Sequence, residues 1–339
     1  MTTGTPRRSA RKKSIENHLL AVREQIDKHL AGLIKKSAPT YLYQPIRYAL
    51  NLRGKRLRPA LLMLTCDSLK GSMKKCLPPA VAIELLHSFT LVHDDIMDQD
   101  DMRRGQPTLH NKWDEAVALL AGDGLIALAY LELLNTKGVN LPQLADIFSK
   151  AILTVCEGQA LDKEFEEKFD VSVRAYQSMI EKKTAALMSV SAEIGALMAG
   201  GTAAQVKTLG KFGHDIGIAF QIQDDLLDII SDEATLGKDI GSDIEQGKKT
   251  YPLLMLQERA NRKDEVHLKT LVGYGAGAMN AWKLREVKKL LWKYDVLKDT
   301  QKAVDRWINR AVQQLEGAGK PAKPELLLDL ATLIQNRSA

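Results

Sequence analysis

At 339 residues, with 45% hydrophobic and 27% charged side chains, the chain has an ordinary globular composition, enough for one large core or two smaller ones. Its formal net charge of +6 is concentrated at one end: Arg7, Arg8, Arg11, Lys12 and Lys13 precede Ser14 in a stretch without acids, and the rest is nearly neutral. That distribution, with 5% aromatic residues to stack bases on, argues against a nucleic-acid-binding protein.

Residues 1–14 lack the apolar core of a secretory signal and read as a basic disordered tail. From Ser14 apolar residues return every three or four positions, at Leu19, Val22, Ile26, Leu30, Leu33 and Ile34, which is the repeat of an amphipathic helix that Pro39 ends. The same periodicity predicts helices over 42–52, 57–69, 78–102, 113–136, 142–160, 172–200, 203–231, 249–260, 264–272, 279–315 with a break near Asp295, and 324–337. No stretch reads as a strand. Breaks fall where Gly, Pro and Asn cluster, and none is long enough to be a linker, so residues 15–339 are expected to form one all-α domain. Cys66, Cys76 and Cys156 are odd in number and lack metal-ligand spacing, which fits buried thiols in a reducing compartment. The most apolar run, Ala116–Leu134, is interrupted by Asp123, so a cytoplasmic protein without a transmembrane segment is expected.

Two acidic claws carry the chemistry. Asp94 and Asp98 stand four apart in Asp-Asp-Ile-Met-Asp, and Asp224 and Asp228 repeat the spacing in Asp-Asp-Leu-Leu-Asp. On a helix, residues four apart share a face, so each pair aims two carboxylates in one direction. Such like charges repel unless a cation lies between them, and oxygen-only ligands suit Mg²⁺, which shares carboxylates with substrate phosphates. Single copies of this pattern are usually solvated faces; two copies in apolar surroundings point to function. Their long apolar helices place them inside the bundle, able to face each other across a central cavity.

Cations cluster near the claws in the sequence. Arg53-Gly-Lys-Arg-Leu-Arg58 puts four of them in six residues before a helix, a possible phosphate cradle, and His87 lies two helical turns before Asp94 on the same face. Arg103-Arg104 follows the first claw, Lys182-Lys183-Thr184 opens an apolar stretch, and Gly237–Thr250 reads as a phosphate-friendly loop without Walker spacing.

Taken in order, GKRLRP, ELLHSFTLVHDDIMDQDDMRRGQPT, KKTAAL, FQIQDDLLD and GKDIGSDIEQGKKT resemble the trans-type isoprenyl diphosphate synthases over roughly residues 15–337, and FTLVHDDIMDQD is most similar to the archaeal geranylgeranyl and farnesyl synthases. The resemblance implies a single large helical bundle of the isoprenoid synthase type. It also implies that Lys55, Arg58, His87 and Arg104 bind isopentenyl diphosphate and that several Mg²⁺ ions are held by Asp94, Asp98, Asp224 and Asp228. Arg103, Lys183, Lys238 and Lys248 would then hold an allylic diphosphate, with Thr184 and Gln221 near the developing cation. Arg53 departs from the Gly common in the family.

The reaction so implied is ionisation of dimethylallyl, geranyl or farnesyl diphosphate, attack by the double bond of isopentenyl diphosphate, and proton loss. Phe89 and Thr90 would form the chain-length floor. Phe followed by a small residue resembles archaeal geranylgeranyl synthases and favours a twenty-carbon product over a farnesyl or mixed one. A class I terpene cyclase would not need GKRLRP or a second claw, and a non-catalytic scaffold subunit would usually lack one claw. The family also implies a homodimer.

Overall fold

The structure is a computed structural model that describes residues 6–52, 54–168, 170–230, 248–272, 280–317 and 319–337. It is all-α, as expected, apart from one small hairpin. Helices α1 (Pro6–Leu33), α2 (Thr40–Asn51), α3 (Leu57–Ser68) and α4 (Leu77–Asp98) lead to strands β1 (Met102–Arg103) and β2 (Gln106–Pro107). There follow α5 (Leu109–Lys112), α6 (Glu115–Leu134), α7 (Leu141–Glu167), α8 (Val173–Ile180), a π-helical turn (Glu181–Ala185), α9 (Ala186–Met198) and α10 (Ala203–Ile230). The chain continues through α11 (Tyr251–Arg259), α12 (Arg262–Val272), α13 (Ala281–Lys293), α14 (Val296–Gln314) and α15 (Glu325–Gln335).

The chain divides into two compact units, one of Met1–Ile152, Leu187–Gly213 and Gln314–Leu330, the other of Leu153–Ala186, His214–Gln313 and Ala331–Ala339. In the first, α4 is the central element: it packs against α1, α2, α3 and α6, and Ala80 to Ile83, Leu85 and Leu86 are fully buried. Close helix approach there rests on small residues. A Cβ at Gly195 of α9 would lie 2.2 Å from the Leu62 carbonyl oxygen of α3, and one at Gly122 of α6 would lie 2.2 Å from Nε2 of His93 on α4. In the second unit, Ala219, Ile222, Leu226, Leu227 and Ile229 bury one face of α10, and α11 packs against both α8 and α13.

Helix α4 ends at Asp98, short of the expected residue 102, because Gln99 takes a left-handed cap at φ 54°. The chain then forms the antiparallel β1–β2 pair, with Arg104 and Gly105 between the strands at φ 54° and 73°. Positive φ at both loop residues is the conformation that matches strand twist in a tight hairpin. This corrects the expectation of no strand. Similarly, the helix expected over 172–200 is interrupted by the π-helical turn. The expected break at Asp295 is present, at φ 54° between α13 and α14.

Helix α1 begins at Pro6, so residues 6–14 of the expected tail lie within its bounds. Cys66 and Cys76 are buried as expected, whereas Cys156 is exposed. Two helical stretches, residues 73–98 and 115–134, are long and apolar enough to cross a membrane, and 61% and 44% of an apolar 18-residue window in each is buried within the protein.

Candidate diphosphate and metal site

The two claws share one design. Asp95, between Asp94 and Asp98, is buried and accepts from Arg103 Nε, while Asp100 accepts from Arg103 Nη2 at 3.3 Å. Burial pushes the Asp95 carboxyl up to about 6, against the pull of the Arg103 guanidinium. Asp225, between Asp224 and Asp228, is likewise buried. Its Oδ2 accepts from the Tyr176 hydroxyl and, at 2.9 Å, from the Tyr251 backbone N–H, and its Oδ1 accepts from Gln221 Nε2 at 3.0 Å. The middle aspartate of each motif is thus an internal anchor: Asp95 ties α4 to the hairpin, and Asp225 ties α10 to α8 and to the start of α11. The outer carboxylates, Asp94 and Asp98 on α4 and Asp224 and Asp228 on α10, are half-buried. Asp224 pairs with Arg337, whose guanidinium also stacks 4.9 Å from the Phe220 ring centre.

In the first unit the basic loop and the hairpin meet. Arg104 Nη1 donates to the Leu52 carbonyl at 3.2 Å and lies so near Gly54 that a Cβ there would come within 2.7 Å of it. Arg58 Nη1 stands 3.0 Å from His87 Nε2. Burial and the guanidiniums of Arg58, Arg104, Arg103 and Arg56 hold the His87 imidazole well below its ordinary value, so it is neutral at pH 7 and accepts from Arg58. Arg58, His87 and Arg104 are therefore brought together, and Lys55 lies exposed on the same loop. The fourth cation of the cluster behaves differently. Arg56 caps α3 at φ 50° and turns inward, its guanidinium reaching Asp27 at 2.8 Å, Glu84 at 2.5 Å and the Leu50 carbonyl at 3.1 Å. It is a buried tie, not part of a cradle. Arg53 lies outside the described residues.

In the second unit the π-helical turn carries Lys183 and Thr184. Lys183 Nζ donates to Asp162 Oδ2 at 2.5 Å, and Thr184 Oγ1 to Gln221 Oε1 at 2.9 Å, which links the turn to α10 beside Asp225. The turn lies directly against α7, where a Cβ at Gly158 would meet the Lys183 backbone nitrogen at 2.3 Å. Lys248 is half-buried, and Lys238 falls outside the described residues. Sequence reasoning missed Asp162 and its neighbour Gln159, whose amide nitrogen and oxygen are both buried without hydrogen-bond partners. The signal was a glycine within a helical pattern, Glu-Gly158-Gln-Ala-Leu-Asp162, which marks close backbone approach.

Below the first claw, Thr90 Oγ1 donates to the His87 carbonyl at 2.9 Å, and the Phe89 ring packs 4.6 Å from that of His93. Among the described residues no three His, Cys, Asp or Glu side chains form a ready-made metal cluster. The donor set still fits Mg²⁺, which takes one or two carboxylates and completes its shell with water and substrate phosphate. In the first unit the outer carboxylates Asp94 and Asp98 stand on a helix anchored through Asp95, and Arg58 and Arg104 converge on His87, donor chemistry suited to a polyanion held with a hard cation.

The Polyprenyl synthetase family model matches residues 39–290, and the chain belongs to that family. It is 42% identical over 241 residues to a geranylgeranyl diphosphate synthase of Methanosarcina mazei, covering 70% of this chain and 74% of the relative. Among solved structures it resembles a geranylgeranyl pyrophosphate synthetase from Pyrococcus horikoshii, with TM-score 0.87 and 35% identity over 95% of this chain and 99% of that one. It also resembles a polyprenyl synthase from Caulobacter crescentus complexed with calcium and isoprenyl diphosphate, with TM-score 0.84 and 26% identity over the whole of both chains.

Proposed function

We propose that the protein is a geranylgeranyl diphosphate synthase: a short-chain trans-prenyltransferase that condenses isopentenyl diphosphate with dimethylallyl, geranyl and farnesyl diphosphates. The observation that carries this reading is the common design of the claws, in which an anchored middle aspartate leaves two outer carboxylates to act together. The names of the archaeal relatives support the twenty-carbon product, and the calcium and isoprenyl diphosphate bound by the Caulobacter protein support a cation-diphosphate site.

Asp94, Asp98, Asp224 and Asp228 would hold Mg²⁺, several ions per site. When bound, Mg²⁺ neutralises the charge that gathers on the departing allylic diphosphate. Lys183, Lys238 and Lys248 grip that diphosphate, and Arg103, already tied to Asp95 and Asp100, adds a fixed positive charge behind the first claw. Lys55, Arg58, His87 and Arg104 hold the diphosphate of isopentenyl diphosphate, whose double bond attacks the allylic cation. The Thr184 and Gln221 oxygens direct their dipoles at that cation, and the released diphosphate takes the proton. Gln159 and Asp162 join this group, the latter by positioning Lys183. Phe89 and Thr90 set the chain-length floor.

A cytoplasmic homodimer completes the proposal. The outward stripe of α6, with Leu119 42%, Leu120 53%, Leu131 60% and Leu134 55% exposed, supports pairing with a second copy.

The test is incubation with Mg²⁺, labelled isopentenyl diphosphate and each allylic starter in turn, then chromatography of the dephosphorylated alcohols. Geranylgeraniol is the expected end point, and Phe89→Ser should lengthen it. Farnesol alone would overturn the product length, an unchanged distribution in the variant would overturn the floor, and no condensation would leave a scaffold as the better reading.

A further inference from the structure

Helix α13 turns two tryptophans outward. Trp282 is 53% and Trp292 73% exposed, although large apolar rings are ordinarily turned inward. At about 100° per residue, Trp292, Arg285, Lys289, Trp282 and Lys293 fall within roughly 100° of arc, so both rings and three cations share one side. All five are exposed, while Val287, Leu290 and Leu291 on the opposite side are buried. The two tryptophans stand about 15 Å apart along the axis. Over its length the helix carries five cations, Lys283, Arg285, Lys288, Lys289 and Lys293, against the single acid Glu286, which pairs with Lys289 at 2.7 Å. Val266, on the packed neighbour α12, adds an apolar side chain that is 57% exposed.

We propose that α13 is a membrane-docking helix that lies flat on an anionic lipid surface. The chemistry selects this partner. Indole rings prefer the boundary between headgroups and acyl chains, and flanking lysines and arginines pair with acidic headgroups, so rings and cations on one side suit a lipid plane. A second copy of this chain is disfavoured, because a symmetric contact through α13 would set Arg285, Lys289 and Lys293 against their own kind. In that respect α13 differs from the α6 stripe, whose exposed leucines are not accompanied by cations. The helix is backed by α11 and α12, against which it packs, and Lys293, at the edge of the outward face, donates with Tyr294 to Asp264, at 2.5 and 2.6 Å.

The measurement is co-sedimentation of the full chain with vesicles of equal parts phosphatidylcholine and phosphatidylglycerol, with pure phosphatidylcholine as the control. Sedimentation with the anionic vesicles only, weakening as salt is added, is expected. Brominated acyl chains should quench the tryptophan fluorescence. The basic residues before Ser14 could bind acidic lipid without α13, so the deciding comparison is Trp282→Ala/Trp292→Ala. This variant should bind roughly tenfold more weakly or worse, with an unchanged circular dichroism spectrum and unchanged activity in solution. Equal binding by the variant, no binding by the native protein, or a change in oligomeric state on losing the two rings would each overturn the proposal; the last would assign the face to another protein chain.

Discussion

His87 shows how a single side chain reports on its surroundings. Its folded value lies well below the 6.5 of an ordinary imidazole, so below pH 6.5 the unfolded chain takes up a proton that the folded protein resists. The stability this represents is complete above pH 6.5 and is lost as the pH falls beneath it. His87→Gln keeps an acceptor for Arg58 but does not titrate. Urea denaturation at pH 7.5 and 5.5 should therefore show a smaller loss of midpoint for the variant than for the native protein; equal losses would mean that the buried guanidiniums do not suppress protonation. At this scale the sequence showed which residue types cluster, because spacing alone puts Asp94 beside Asp98. It did not show which members turn inward. Asp95 and Asp225 differ from their neighbours only through Arg103, Tyr176 and Tyr251, partners that no local pattern announces. Arg56 was hidden in the same way, a cation among cations until its acids Asp27 and Glu84 are seen.

Among the elements, the π-helical turn at Glu181–Ala185 depends most on a neighbour. Helix α7 reaches its backbone only because residue 158 lacks a side chain, and the obstacle a Cβ would meet is main chain, which cannot swing aside. Gly158→Ala should therefore displace Lys183 and Thr184 together, lowering condensation activity at least about tenfold and destabilising the fold by roughly 1–3 kcal/mol. Steady-state kinetics with thermal unfolding checks both; an unaltered rate constant would show that the turn tolerates the shift. Apolar periodicity located most of the helices, because a buried stripe must repeat with the helical turn. It failed where the backbone departs from that repeat. The left-handed caps at Arg56 and Gln99 and the hairpin residue Arg104 use side chains that carry no turn signature, so α4 was carried past its true end.

At the scale of the molecule, the outward face of α6 carries leucines that the described protein does not cover. Leu131→Glu would replace the most exposed leucine of that stripe with a charge. Light scattering coupled to size exclusion should register a dimer for the native protein and a monomer for the variant; the same mass for both would remove α6 from the interface. The all-α class was legible because almost every segment repeats with one period, whereas the division into two compact units was not, since both units draw on segments far apart along the chain.

The inward anchoring of Asp95 and Asp225 also separates construction from operation. Each claw has its middle carboxylate fixed by partners within the chain. The shape of each claw is therefore set by side chains and backbone of this chain: Arg103 for the first, and Tyr176, Gln221 and the Tyr251 N–H for the second.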